Sequence, residues 1–387
     1  MTKLIRWLVA AILTAGGALL VGRAVLDRDA GPQVTAQLVA PAVDTSGYAR
    51  VVGPQPLTFP TDHGPHPDYQ TEWWYYTGNL ETASGRQFGY QLTFFRRALA
   101  PPGERSERTS DWAADQAYMA HFALTDVASG EHQAFQRYAR GAAGLAGAAG
   151  GPFRIWLEDW SVEAVGPDQY RLRAAEDDLA LDLLLVDEKG PILHGDAGYS
   201  QKGPDPGNAS IYFSQTRLTS SGTVAVGDNT FAVEGASWMD HEFSTSALAD
   251  GQVGWDWFAL QLDDGSELMV FQIRREDGGI DPLSSGTLVA PDGGTRHLSR
   301  DAYTITPVDS WRSPHTGAEY PVRWEITVPN AALSLEIESL LADQEMNVSY
   351  TYWEGAVRVE GERDGTPVTG MGYVEMTGYA GSMEGQF

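Results

Sequence analysis

The chain has 387 residues, enough for two ordinary domains or one large one. Its formal net charge of -26 comes from 52 acidic and 26 basic side chains. No cluster of Lys and Arg of the kind a phosphate-binding surface needs is present, which sets nucleic acid aside as a partner. The acidity reads as solubility of an exported domain, and with no cysteine neither a disulfide nor a lipid-modified Cys is available.

Residues 1–25 carry Lys3 and Arg6 and then an apolar run from Trp7 to Val21. That is a signal peptide or an uncleaved anchor, the run being short for a bilayer span and broken by Arg23. Export is expected, to the periplasm or the outside, with membrane contact through this segment if it is retained. Residues 26–50, small and polar with prolines, read as a linker. From Val51 onward the signals are almost all β. Residues 66–80 come first and hold Glu72 followed by four aromatics, Trp73, Trp74, Tyr75 and Tyr76. A strand sends alternate side chains to opposite faces, so Trp73 and Tyr75 share one face, and Trp74 and Tyr76 the other. Such a strand must be covered on both sides, or must line a cavity on one. A second strand follows, with Phe88, Tyr90, Leu92 and Phe94 alternating with smaller or polar residues.

Further along, residues 141–151 are rich in Gly and Ala and read as a mobile loop. Alternation resumes at Tyr170, Leu172 and Ala174, and at Leu179, Leu181, Leu183 and Leu185. Residues 196–208 are a second long loop. Trp324, Ile326 and Val328, then Leu333, Leu335 and Ile337, give two more strands. No segment beyond the N-terminus sustains a helical period. Many short strands with turns between them indicate sandwiches or barrels.

The start of the β region has an echo. Trp255, Trp257, Phe258 and Leu262 repeat the offsets of Trp73, Tyr75, Tyr76 and Leu80, and the Arg274-Arg275 pair repeats Arg96-Arg97. A second echo sets Trp238 and Asp240 against Tyr373 and Glu375. Two matched beginnings and two matched ends predict two copies of one β-domain, 51–245 and 246–387, with the boundary between Glu242 and Gly254.

Five motifs then stand together in fixed order: Glu72-Trp73-Trp74-Tyr75-Tyr76-Thr77-Gly78, His194-Gly195-Asp196 with Tyr199-Ser200-Gln201-Lys202, Trp238-Met239-Asp240-His241-Glu242, Trp255-Asp256-Trp257, and Tyr352-Trp353-Glu354-Gly355. In these the chain resembles the AttH and carotenoid 1,2-hydratase group over about residues 53–379, on the AttH-like side. The resemblance implies an all-β protein of two lipocalin-like (calycin) antiparallel β-barrels in tandem. It also implies a hydrophobic ligand, isoprenoid or lipid-like, and no cofactor.

The hydratases add water to an isolated carbon-carbon double bond through a tertiary cation. That needs a carboxylic acid kept protonated by an apolar site, aromatic faces for the cation, and room for one water. Their aromatic-x-Asp element falls here on Trp238-Met239-Asp240, which implies Asp240 as general acid with Trp238 and His241 beside it. Trp stands where the hydratases have Tyr, and Ile211-Tyr212-Phe213 fills the region of their upstream His. Strand alternation puts Trp238 and Asp240 on one face and turns His241 away from it.

The ligand-binding candidates are Glu72, Trp73, Tyr75, Trp255, Trp257, Tyr352, Trp353, Tyr373 and Glu375. Plainer readings accompany them. Asp240 and Glu375 could pair with Arg217 or Arg358, and Trp73, Trp255 and Trp257 could plug barrel ends. His63 and His66 read as solvated loop histidines. No further metal ligand stands at diagnostic spacing, so no metal is expected. His121 reads as a buried histidine. No Gly-x-Ser-x-Gly element occurs. Two functions stay open: an acid-catalysed lyase or hydrolase with Asp240 as acid, or a non-catalytic carrier or sensor of an apolar molecule. A buried, protonated Asp240 beside an open aromatic cavity favours the first, and an Asp240 neutralised by Arg the second.

Overall fold

The computed structural model describes residues 45–105, 110–246 and 248–383. The apolar N-terminal segment and nearly all of the expected linker lie outside these residues. Among the described residues the regular structure is strand, with four single 3-10 turns. No helix there is long and apolar enough to cross a membrane.

The first sheet opens with β1 (Thr71–Glu81), β2 (Gln87–Ala98), β3 (Gln116–Asp126) and β4 (Glu131–Arg140). It goes on through β5 (Ala146–Gly150), β6 (Phe153–Leu157), β7 (Trp160–Gly166), β8 (Gln169–Glu176) and β9 (Leu179–Asp187). The short β10 (Ile192–Leu193) and β11 (Tyr199–Gln201) precede two long strands, β12 (Ala209–Val226) and β13 (Asn229–Ser244). Across the sheet the order is β4-β3-β2-β1-β13-β12-β9-β8-β7-β6-β5, antiparallel throughout, and the sheet curls until β4 meets β6. The Gly- and Ala-rich stretch read as a loop supplies β5. Small residues do not prevent a strand where β6 pairs along its length.

The second sheet holds β14 (Gln252–Leu262), β15 (Glu267–Arg275), β16 (Ser285–Val289), β17 (Thr295–Ser299) and β18 (Thr304–Arg312). It is completed by β19 (Glu319–Val328), β20 (Leu333–Ser339), β21 (Glu345–Asn347), β22 (Thr351–Arg363) and β23 (Thr366–Met376). Its order, β17-β16-β15-β14-β23-β22-β20-β19-β18, repeats that of the first sheet from β4 to β7, with no counterpart of β6 and β5 on the path. β1 answers to β14, and β13 to β23. Tyr75 lies opposite Asp240, as Trp257 lies opposite Glu375. Trp73 and Trp255 therefore occupy equivalent positions, and so do Trp238 and Tyr373. The fold is all-β, two antiparallel sheets each curled into a nearly closed barrel.

Each barrel is filled by its own side chains. Trp74, Phe88, Tyr90, Leu92, Phe94, Leu181 and Leu183 belong to the first core, and Phe258, Trp324, Ile326, Leu335 and Trp353 to the second. Each fully buried side chain of this size contributes about 1.5–3 kcal/mol. These interiors are packed cores rather than ligand cups. A third cluster lies between the barrels, on their outward faces, with Tyr75, Tyr212, Trp238, Trp257, Phe271 and Tyr373. The barrels approach closely at Gly89, where an added Cβ would stand 2.6 Å from Ala356 Cβ. A buried ion cluster also joins them: Glu267 accepts from Lys189 Nζ at 2.7 Å and from Arg217 Nε at 2.6 Å.

Candidate functional site

Between the outward faces of the two barrels lies a cavity of about 140 Å³. The first barrel lines it with Trp73, Tyr75, Tyr212, Asp240 and Glu242, and the second with Trp255, Trp257, Phe271, Tyr352, Glu354 and Glu375. The period of two along β1 is the cause. Trp74 and Tyr76 fill the core, so Trp73 and Tyr75 must face outward, where the second barrel covers them. Trp73, Trp255 and Trp257 therefore do not plug a barrel. Trp74 does, its indole N–H donating to the His63 carbonyl at 3.0 Å.

Asp240 is the most heavily hydrogen-bonded carboxyl of the cavity. Trp238 Nε1–H donates to its Oδ1 at 2.6 Å, the Ser214 hydroxyl donates to the same oxygen, and Tyr212 O–H donates to Oδ2 at 2.6 Å. Trp257 Nε1–H in turn donates to the Tyr212 oxygen at 2.9 Å. Behind Ser214 stands His194, 2.6 Å from it through Nε2, with Nδ1 at 2.9 Å from Thr287 Oγ1. Since Ser214 spends its proton on Asp240, His194 must donate from Nε2, which leaves Nδ1 to accept from Thr287. Burial holds His194 neutral, at about 3.

Burial pushes Asp240 up to about 7, and the three donors pull the other way without cancelling it. No Arg among the described residues pairs with it: Arg217 is bound to Glu267, and Arg358 to Glu338. When Asp240 takes a proton, the hydroxyls of Tyr212 and Ser214 can both turn to accept from it, whereas the indole N–H of Trp238 cannot. Asp240 and Tyr212 both line the cavity.

A second acidic pair faces the same space. Glu354 and Glu375 are direct cross-strand partners. Glu354 accepts from Tyr75 O–H at 2.8 Å, and Glu375 from Trp255 Nε1–H at 2.8 Å. Burial, with repulsion from Glu375, pushes Glu354 well above the carboxylate range. Burial also lifts Glu375 to about 7, against the Trp255 bond.

Of the residues singled out in the sequence, the cavity brings together Asp240, Trp73, Tyr75, Trp255, Trp257, Tyr352 and Glu375. The others lie elsewhere. Trp238 is 2% exposed and touches Asp240 rather than the open space, so it positions the acid. Trp353 is in the second core, and Tyr373 is packed between the barrels. His241 and Glu72 point into the first barrel, the opposite side of the sheet, as the alternation requires. There Glu72 accepts from Arg96 Nε at 2.7 Å, from His241 Nε2 at 2.8 Å and from the His66 backbone N–H at 3.0 Å.

His63 and His66 are not solvated loop histidines. His63 is buried and held at about 4 by burial, and His66 stacks on Phe243 at 3.6 Å beside Glu72. His66, Glu72 and His241 could each offer a metal one ligand atom. Arg96 already sets a guanidinium on Glu72 there, which opposes a second cation. His121 is buried as expected, with Nδ1 at 2.6 Å from the Tyr352 hydroxyl.

Tyr212, Ser214, His194 and Glu354 were not singled out as site residues. Tyr212, His194 and Glu354 stood within stretches already quoted, and Ser214 directly follows one of them. Their register against Asp240 was the missing signal, since β12 sets Ser214 directly opposite it.

The model of the AttH-like family matches residues 50–379. The chain belongs to the AttH-like family. A crystal structure of a putative AttH from Nitrosomonas europaea is 37% identical to this AttH-like protein, with a TM-score of 0.77. The match covers 86% of this chain and 99% of that one. Kievitone hydratase from Nectria haematococca is 14% identical, with a TM-score of 0.65 over 87% of this chain and 97% of its own. At that identity the likeness shows the fold alone, that of a hydratase-like lipocalin. No curated protein matches the sequence.

Proposed function

We propose that this AttH-like protein adds water to a carbon-carbon double bond of an apolar, isoprenoid or lipid-like substrate, with Asp240 as the general acid. The observation that carries the reading is a buried carboxyl pushed up to about 7, with no Arg paired to it among the described residues, in contact with Tyr212 at the wall of an aromatic cavity. A protonated acid of this kind can act near neutral pH. Kievitone hydratase, by its name a hydratase, shares the fold.

The step runs as follows. The Asp240–Tyr212 acid gives its proton to one alkene carbon, and the π pair forms the new C–H bond. The neighbouring carbon becomes a cation between the ring faces of Trp73, Tyr75, Trp255 and Trp257. A water oxygen bonds to that carbon and loses a proton, leaving an alcohol. The released proton restores the acid through solvent, so one water is added in all. Catalysis outside the cytoplasm belongs to the same proposal, on the ground of the charged and apolar N-terminal segment.

The test has two stages. Native mass spectrometry of the purified protein identifies any apolar molecule it retains. That molecule and a panel of isoprenoid alkenes are then incubated in water labelled with heavy oxygen. The wild type should incorporate one labelled water, and Asp240→Asn should bind the alkene without converting it. Full turnover by Asp240→Asn would remove Asp240 from the chemistry. Tight binding with no turnover by either form would make the protein a carrier.

A further inference from the structure

Lys202 shows what this cavity accepts. Its ammonium lies 4.3 Å from the Phe271 ring centroid, 5.2 Å from that of Tyr212, and 3.5 Å from a Glu242 oxygen. An ammonium ion is thus held between ring faces and a carboxylate, the arrangement that favours organic cations. The Glu354–Glu375 side of the cavity has the same ingredients, aromatic faces and carboxyls. None of the ion pairs among the described residues brings a basic side chain to either glutamate.

Glu354 is fully buried, and its Oε1 has no hydrogen-bond partner among the described residues. A buried acceptor left without a donor is destabilising by about 1–3 kcal/mol. Ionising both carboxyls would set two charges facing each other across adjacent strands, so Glu354 keeps its proton. A ligand bringing both a donor and a positive charge supplies Oε1 with a partner and lets the pair ionise.

We propose that the Glu354–Glu375 pair is a subsite for the protonated amine of a ligand whose apolar body lies against Trp73, Trp255 and Trp257. The primary or secondary ammonium is favoured over a quaternary one because Glu354 Oε1 lacks a donor. The inference goes beyond the hydration reading and does not depend on it.

Binding at this subsite is linked to protons. Burial and Glu375 hold Glu354 high, and burial, Asp240 and Glu242 hold Glu375 at about 7. The titratable groups facing the pair are Tyr75 on β1, Asp240 and Glu242 on β13, Tyr352 on β22 and Tyr373 on β23, with Lys202 at Glu242. An arriving ammonium stabilises the carboxylate form, so a proton must leave as the amine binds. A neutral ligand of the same shape expels none.

Isothermal titration calorimetry with hexylammonium and with hexanol, at neutral pH in two buffers of different protonation enthalpy, tests this on the whole protein. Hexylammonium should bind at least about ten-fold more tightly than hexanol and release protons to the buffer. Glu354→Gln should abolish the preference while leaving hexanol affinity unchanged. Where that variant fails to fold, Glu375→Gln gives the same reading, and Asp240→Asn should keep the preference. Equal affinity of the two probes, absence of binding by both, or no proton release overturns the proposal. So does a preference that survives in both glutamate variants. Since hydration is read from Asp240→Asn and labelled water, either proposal can fail while the other stands.

Discussion

Glu72 and Asp240 are both carboxyls taken out of water, on neighbouring strands of one sheet, and they occupy opposite faces of it. Glu72 turns into the first barrel, where burial works to raise it but Arg96, His241 and His66 overcome that effect and hold it well below the usual range. Asp240 turns outward, where burial wins over three neutral donors and raises it to about 7. A buried carboxylate with a cation is a structural tie; one with only hydroxyl and indole donors keeps its proton within reach. The second barrel repeats the placement but not the outcome: Arg274, the equivalent of Arg96, binds Asp256 at 3.0 Å, yet burial still raises Asp256, and Glu375 faces outward with no ion pair among the described residues.

The largest expected effect is on rate. Asp240→Asn should lower hydration by about 10²–10⁴-fold, while Glu72→Gln should leave the turnover of the folded fraction near that of the wild type. Steady-state assay of both variants against the same alkene checks this. A comparable loss of turnover in folded Glu72→Gln would erase the distinction.

Stability should reverse the ranking. Arg96→Met leaves Glu72 buried and uncompensated and should cost about 3–5 kcal/mol, whereas Asp240→Asn should be close to neutral or stabilising. Denaturant unfolding measures both.

The pH dependence of stability should also have opposite signs. Asp240 holds its proton more tightly folded than unfolded, so its contribution is present below about pH 4 and lost as pH rises toward about 7. Glu72 is depressed, so its contribution is present above its unfolded value and lost as the solution is made more acid. Melting temperature against pH should be flatter in Asp240→Asn between mildly acid and neutral solution. A wild-type profile matching that of Asp240→Asn would mean that Asp240 is charged in the fold.

The smallest effect is expected from Tyr212→Phe. It removes one donor that favours the charged form, so Asp240 should titrate higher still, and the rate should fall by about ten-fold through loss of the phenol proton. A carboxyl titration followed by NMR in the two proteins reads the shift directly.

Alternation along the chain determined a good deal. The two faces of β1, the two faces of β13 and the doubled offsets of Trp73 and Trp255 follow from a period of two and an internal repeat. They were enough to put Trp238 and Asp240 on one face and His241 on the other. What alternation could not say is which face is inside. Both faces of these strands carry large rings, because both are covered, one by the barrel's own core and one by the other barrel. Hence Glu72 and Trp353, next to cavity residues in sequence, fell on the core side, while Glu354, one residue from Trp353, fell in the cavity. Cross-strand register was equally hidden, since nothing local to Tyr212, Ser214 or Glu354 announces the strand it will face. Only closure of the barrels and their packing face to face decided which acids lost their water and which of those gained an Arg, because burial and pairing are properties of neighbours far apart in the chain.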